Sequence, residues 1–589
     1  MQKLIDFYGA NLNRYTGQSN KVQRWLQMLS YSRLVLFLLT ILAVYLLRFE
    51  AKWAVVGAFL GMAAFLGLVR YYQDVKKKYR LLHALVKVNA TEIEVLQHNF
   101  EELPSGEEYV DDQHCYSHDL DLFGKGSFFQ YLNRTQLQEG KDTLAQMFTA
   151  NDIGAITAKQ ETVDDLAQKP KWRQDFTARA MLIRQQTPVS EITKWLKQYV
   201  PFVPGSMRFL PWLFLVMTLF LGAMAFWQGW SWSLLGYWIL LGLGLTGRYF
   251  RRIQQLAQTA DRIKAVFKQY SSLLTSIEET EFEAAQLRYQ KQRLLVDDKK
   301  ASEAIADFAR LLNTMDYNNN IFYAIFGNGC FLGALQTAHQ IEKWIGQHKE
   351  QVADWFEVIA LFDAYNSLGN FAFNHPFYCY PVIHNGPQVL ACKAAGHPLI
   401  PEEKNVRNDF SINHEDFFII TGSNMAGKST FLRTTGLLMV MANMGLPVCA
   451  EECLYSPIKL VTSMRSIDSL SKGDSYFLSE LKRLKFIINL LQEEPYFVVL
   501  DEILKGTNST DKAAGSKRFL HRLVQARATG LIATHDLSLC EAADDLPQVH
   551  NYYLDATIQE GELYFDYRLK KGVSKTMNAS FLLEKMDIV

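Results

Sequence analysis

The sequence predicts a multidomain chain: a helical core, a C-terminal α/β domain, and four transmembrane helices arranged in two hairpins. Three observations carry that reading. The chain has 589 residues, well beyond the ~250–300 at which one hydrophobic core stops growing. Two regions contain long runs without charge. Near residue 420 a glycine-rich loop stands between a strand-like apolar run and a helical pattern.

The clearer apolar region is Phe209–Gly247, 39 residues without a charge between Arg208 and Arg248. It divides at Gln228-Gly229 into Phe209–Trp227 and Trp230–Gly247, of 19 and 18 residues. At ~1.5 Å rise per residue each half nearly crosses a ~30 Å hydrocarbon core. Trp212, Trp227, Trp230 and Trp232 sit near the ends, where interfacial aromatics gather. The second region pairs Trp53–Val69, 17 uncharged residues, with Leu34–Leu47, 14 between Arg33 and Arg48. Trp25–Ser32 is uncharged too, so Arg33 could snorkel from a helix that starts earlier. Spans are expected at about 31–48 and 53–69, and at 209–227 and 230–247. For Leu34–Leu47 a buried core helix is the competing reading. The polar lead of 33 residues argues against a cleaved signal peptide.

Flanking charge sets the orientation. Lys21, Arg24 and Arg33 precede the first hairpin, and Arg70, Lys76, Lys77, Lys78 and Arg80 follow it. Lys194, Lys197 and Arg208 precede the second, with Arg248, Arg251 and Arg252 behind it. The positive-inside rule then makes this a multi-pass membrane protein, held in an inner membrane with its soluble parts facing the cytoplasm. Overall, 61 Lys plus Arg balance 61 Asp plus Glu, which excludes a global electrostatic pull toward nucleic acid. The seven cysteines are scattered, and Cys449 and Cys453 have no second Cys/His pair nearby. A disulfide framework or structural zinc site is not expected.

Between the hairpins lies a soluble stretch, Tyr71–Pro201. In it, His118–Phe148 shows apolar residues at helical spacing around Asn133-Arg134-Thr135. Beyond the second hairpin, Arg248–Leu295 contains no proline or glycine and reads as one amphipathic helix of about 70 Å. It is either a transmitting arm or a passive stalk. Ala301–Phe373 continues as a helical bundle, stopped by Asn374-His375-Pro376.

The chemistry is concentrated near the C-terminus. Asp416–Ile420 reads as a buried strand. Thr421, then Gly422-Ser423-Asn424-Met425-Ala426-Gly427-Lys428-Ser429-Thr430, follows it, and Phe431–Met444 has a helical pattern. This is GxxxxGK[ST] in the strand–loop–helix context the motif requires. Its backbone N–H groups and helix N-terminus can cradle phosphates. Lys428 would meet the β- and γ-phosphates, and the Ser429 hydroxyl would meet Mg²⁺. A second strand, Tyr496–Leu500, ends at Asp501-Glu502. Asp501 is the expected Mg²⁺ ligand and Glu502 the expected acceptor of a proton from attacking water. A third, Gly530–Thr534, ends at His535, placed to sense the γ-phosphate or orient water. Catalytic roles therefore fall on Glu502, His535 and Lys428, with ATP and Mg²⁺ as cofactors.

Thr421–Arg433, TGSNMAGKSTFLR, closely resembles the Walker A segment of the MutS mismatch-repair ATPases. Gly396-His397-Pro398 and Asn408-Asp409 are similar to family elements upstream of that loop. Gly473–Glu480 resembles the segment that reaches the partner's nucleotide across a dimer, with Ser475 on the family's serine. Leu500–Ile503, Gly506-Thr507 and Ala533–His535 complete the order, and His118–Phe148 is similar to the start of the family's core. The resemblance covers Asp112–Val589 apart from the second hairpin. It implies a lever-like helical core joined to an α/β P-loop ATPase of the MutS/ABC type, a homodimer paired through its ATPase domains, and DNA as ligand.

Departures from the family pattern are plain. Leu504-Lys505 stand where Gly-Arg is usual, and Tyr476 replaces Thr. A hairpin occupies the place of the mismatch-reading domain, and Phe100-Glu101-Glu102 matches its Phe-x-Glu wedge in letters alone. The expected divisions are 1–80 with the first hairpin, 81–385 as a core interrupted by the second, and 386–589 as the ATPase domain. The leading functional reading is a membrane-anchored, ATP-hydrolysing DNA-binding protein of the mismatch-repair, DNA-damage-sensing class, in contact with membrane lipid. The alternative is a membrane ATPase that acts on a protein or lipid partner.

Overall fold

The computed structural model describes residues 2–46, 51–183, 188–296, 299–316, 320–423, 425–465, 476–559 and 562–574. Two proline-free helices open the chain, α1 (Gln2–Leu46) and α2 (Ala51–Leu96), of 45 and 46 residues. At ~1.5 Å per residue each is roughly 70 Å long. The polar lead is therefore not a separate segment: the sequence from Gln2 onward belongs to the same helix as the apolar run. The helices lie side by side, and a Cβ on Gly61 would overlap the Thr40 side chain. Small residues at a crossing let two helices approach closely. Phe37, Leu38, Phe59 and Leu60 point outward and are more than half exposed. The Arg33 guanidinium lies 3.9 Å over the Tyr72 ring, at the polar end of this apolar stretch.

The other ends of α1 and α2 lie in the helical core. Tyr8 Oη donates to Asn374 Oδ1 (2.7 Å) and Asn374 Nδ2 to Glu92 Oε2 (2.9 Å). Arg134 Nε donates to Glu92 Oε1 at 2.6 Å, in a pair that is almost wholly buried. Burial acts to raise the Glu92 pKa, but the Arg134 charge and hydrogen bonds from Arg134, Asn370 and Asn374 outweigh it and hold it low. α2 runs through residue 80 without interruption.

The second hairpin is α3 (Leu210–Trp227) and α4 (Trp232–Arg248), turning at Gly229 with φ +72°. Among the described residues, three helices are long and apolar enough to cross a membrane: α1, α2 from Lys52, and α3. Helix α4 is 17 residues long.

Two helical expectations for the core are corrected. Arg248–Leu295 is not one helix: α4 ends at Arg248, α5 spans Phe250–Glu278, and a short helix follows at Ala285–Gln292. No proline or glycine marks the break. It comes from elsewhere in the chain, because buried Asp165 Oδ2 accepts the N–H groups of Glu283 (2.6 Å) and Ala284 (2.9 Å). A carboxylate at the first turn of the next helix serves as its cap. His118–Phe148 likewise holds only two helices, Phe128–Leu132 and Gln138–Thr149. Asp121, Gly124 and Gly126 take positive φ. Asp363 Oδ2 draws off the N–H groups of Gln136 and Leu137, each at 3.0 Å. The later bundle is α6 (Ala301–Met315), α7 (Gly333–His348) and α8 (Gln351–Asn374).

The C-terminal part is mixed α/β. Strands β1 (Val382–Ile383), β2 (Gln388–Ala395), β3 (Asn408–Asn413) and β5 (Glu452–Tyr455) form a small sheet in the order β1-β5-β2-β3. The larger sheet takes β4 (Phe417–Thr421), β6 (Lys459–Ser463), β7 (Tyr496–Asp501), β8 (Thr529–Ala533), β9 (Val549–Tyr553) and β10 (Lys570–Lys571). Its order is β10-β9-β4-β8-β7-β6, parallel except at β10. Helices α9 (Lys428–Asn443), α10 (Tyr476–Glu493) and α11 (Ser509–Gln525) cover it. All five residues of β4 and of β8 are buried, as strands covered on both faces must be. The sheet is fastened to the core by Asp119, whose carboxylate accepts from Thr462 Oγ1 (2.5 Å), Met464 N (3.1 Å) and Arg465 N (2.9 Å).

Candidate nucleotide-binding site

The three strands read from the sequence are neighbours, with β8 between β4 and β7. Their ends are level: Ala533 stands opposite Ile420 on one side and Asp501 on the other. The topology thus brings the glycine loop, Asp501-Glu502 and His535 to one sheet edge, where ligands of open α/β sheets bind.

The loop leaves β4 at Gly422, whose φ is +148° and whose added Cβ would strike the Leu554 carbonyl oxygen. Only glycine meets both demands. The backbone then passes Met425 (φ +68°) and Gly427 (φ +96°) into α9, which begins at Lys428. Lys428 Nζ donates to the carbonyls of Gly422 (2.9 Å) and Ser423 (3.0 Å). Burial pulls its pKa down against the charges of Glu502 and Asp501. Ser423 Oγ is buried without a hydrogen-bond partner among the described residues. Asn424 lies outside the described residues. Met425, Ser429 and Thr430 are exposed at the loop and first helical turn, and Ala426 is buried.

His535 Nε2 stands 2.8 Å from Glu502 Oε1 and 3.1 Å from Lys428 Nζ. One ring nitrogen cannot serve both: as N–H it donates to Glu502, and bare it accepts from Lys428. The hydrogen bond and charge of His535, with Lys505 beyond, take the Glu502 pKa down to about 2. Glu502 itself adopts φ +50° and Leu504 φ +57°. Leu504 is thus a branched residue in left-handed backbone, a conformation that costs ~1–2 kcal/mol outside glycine.

Around these groups lies a cavity of about 900 Å³. Ser429 and Asp501 both line it. A hydroxyl and one carboxylate are a fitting Mg²⁺ donor set, since that ion keeps waters and takes its remaining oxygens from phosphates. Among the described residues no group of three or more His, Cys, Asp or Glu forms an all-protein metal cage.

The cavity has further walls, of which Tyr567 lies in no motif. The Tyr567 ring lies against Gly427, where an added Cβ would come within 3.0 Å of it, and Lys505 lines the same cavity. Tyr567 lies far along the chain in a loop without motif character, so no sequence signal marked it. It is held by Asn408, whose Nδ2 donates to Tyr567 O (3.0 Å) and whose Oδ1 accepts from Leu569 N (2.7 Å). His397 lines the cavity too, and burial lowers its pKa to about 4. Glu480, buried on α10, accepts from Lys505 N at 3.1 Å and fixes the loop after Glu502. Ser475 lies outside the described residues.

A glycine loop runs from a central parallel strand into a helix, with acidic and histidine residues at the neighbouring strand ends, which is the setting the GxxxxGK[ST] motif requires. The sequence profile of MutS domain V matches residues 418–584. Over 243 residues the chain is 32% identical to the DNA mismatch repair protein MutS of Desulfatibacillum aliphaticivorans, covering 40% of this chain and 27% of that one. The same-named protein of Thermotoga petrophila is 30% identical over 236 residues (39% and 29%), and that of Thermus thermophilus 33% over 227 (38% and 27%). Over this C-terminal domain the chain is similar to MutS domain V and to the corresponding part of these MutS proteins. It spans less than a third of the length of these curated relatives.

Proposed function

We propose that the chain is a membrane-anchored MutS-type ATPase, in which ATP turnover at the strand ends moves the helical core. The observation that supports it best is the convergence of Lys428, Ser429, Asp501, Glu502 and His535 on one cavity. In this reading Gly422–Thr430 wrap the phosphates, Lys428 neutralises their charge, and Ser429 with Asp501 holds Mg²⁺, which would offset phosphate charge. Glu502 orients the attacking water. Accepting its proton requires the His535 contact to loosen first, because a carboxylate held near pKa 2 is a weak base. Glu502→Gln is expected to lower turnover by ~10²–10⁴-fold while nucleotide binding persists. Unchanged turnover would refute the assignment.

The membrane half of the proposal draws on the outward apolar faces of α1, α2 and α3, with α3 and α4 as the second hairpin. The divisions 1–80, 81–385 and 386–589, the homodimer and the cytoplasmic orientation belong to the same proposal, as does Ser475 acting across the dimer. DNA as ligand rests on the names of the relatives. A second reading, a membrane ATPase serving a protein or lipid partner, is favoured by one observation: α1 and α2 run unbroken from the apolar hairpin into the core. ATPase rates with mismatched, branched and homoduplex DNA, against vesicles alone, separate the two. Stimulation by DNA supports the first reading, and a response confined to vesicles supports the second.

A further inference from the structure

Neither the core nor the nucleotide site accounts for the chain between α6 and α7. From Asn320 onward no Asp, Glu, Lys or Arg occurs until Glu342. The backbone does not run on as an α-helix. Tyr323–Gly327 is a π-turn, Asn328–Phe331 a single α-turn, and Leu332 takes φ +51° before α7 begins.

The two sides of this element differ. One packs on the second hairpin. Gly242 and Gly329 face each other so closely that a Cβ on Gly242 would overlap the Gly329 carbonyl, and one on Gly329 the Ile239 side chain. Thr218 Oγ1 donates to the Cys330 carbonyl at 3.0 Å. The other side carries Ile321, Phe322, Ile325 and Phe326, all exposed, with Phe322 at 72%.

The contact points give a depth. Thr218 lies eight residues inside the start of α3 at Leu210, and Gly242 six inside the end of α4 at Arg248. At ~1.5 Å per residue that is roughly 9–12 Å past the basic flank, about a third of a ~30 Å hydrocarbon core. The polar backbone is arranged as hydrocarbon demands. Where the helix breaks, Leu332 is fully buried. Asn328 covers the break, accepting from Ala334 N (2.9 Å) and donating to Ala324 O (3.0 Å). Irregular backbone is tolerated at membrane depth only when buried and satisfied in this way. Short apolar segments are usually core helices or re-entrant elements, and the exposure of Ile321, Phe322, Ile325 and Phe326 excludes the core. Glu342 marks the return: it accepts from Phe202 N (2.7 Å) and Val203 N (3.1 Å), just ahead of the basic flank.

We propose that Ile321–Phe331 is a re-entrant element seated in the cytoplasmic leaflet beside α3 and α4, with Ile321, Phe322, Ile325 and Phe326 against lipid acyl chains. It rests on the membrane reading of the second hairpin, and gives the core a third attachment to the bilayer. The test is photolabelling of the full chain in phosphatidylcholine vesicles containing a lipid with a diazirine in mid-acyl chain, mapped by peptide mass spectrometry. Label on the 321–326 peptide together with label on α3 is the expected result. Label on α3 with none on 321–326 overturns the re-entrant element and leaves the membrane reading intact. Label on neither overturns both.

Discussion

The two halves of this molecule both bury an apolar core but differ in what they leave outside. The C-terminal α/β domain hides apolar strands, with Phe417–Ile420 and Phe497–Leu500 at most 1% exposed, and brings Lys428, Asp501, Glu502 and His535 to the sheet edge. The helical half buries ionisable groups within its core, Glu92, Asp165, Arg173 and Asp363, while aromatic and aliphatic side chains cover its hairpins outside. One half is built for water. On the proposed membrane reading the hairpins of the other meet an apolar solvent, where exposing Phe59 costs nothing. Exposed apolar area on this scale is otherwise a liability in a soluble chain.

That contrast can be broken or sharpened by substitution. Arg134→Ala leaves the Glu92 carboxylate buried and unpaired, and should cost about 3–5 kcal/mol in denaturation of the detergent-solubilised protein. Replacing both by apolar residues of similar volume should cost far less, and equal losses would show that the pair does not hold the bundle. Next in size is Phe59→Arg on the outward face of α2. If that face meets lipid, insertion should become about 2.5–3.5 kcal/mol less favourable, read as a loss of carbonate-resistant protein. A water-facing helix would tolerate the change.

Asp363 gives a defined pH dependence. Burial raises its pKa from 3.8 to about 7, although Leu137 N and Gln136 N oppose the shift. A raised carboxylate pKa means that folding favours the neutral form, so its contribution is complete below about pH 4 and is lost as pH rises through about 7. Asp363→Asn should flatten the stability profile over that window. The same slope in the variant would assign it to another group.

The α/β fold was legible because its strands are short, apolar and closed by chemistry-bearing residues. The expected runs Asp416–Ile420, Tyr496–Leu500 and Gly530–Thr534 each lie within one residue of β4, β7 and β8. Their neighbour order was not legible, since register depends on pairing between distant segments. The hairpin turn at Gly229 was also readable. What failed failed for non-local reasons: Asp165 ends α5 from more than a hundred residues away, and Asp363 keeps Asn133–Leu137 out of a helix. Tyr567 reaches the loop through Asn408, and Leu504 occupies left-handed backbone where the family's usual residue is Gly. The element at 321–331 went unnoticed because it is too short for a span and too irregular for a helical pattern.

The account stands most directly on an ATP site held on one side of a membrane. ATP turnover should be compared in sealed inside-out and right-side-out membrane vesicles, with Glu502→Gln as the control for background hydrolysis. Hydrolysis of added ATP by inside-out vesicles alone, lost in the variant, is the predicted result. Equal turnover in both orientations, or activity that stays in the supernatant when the vesicles are pelleted, would contradict it.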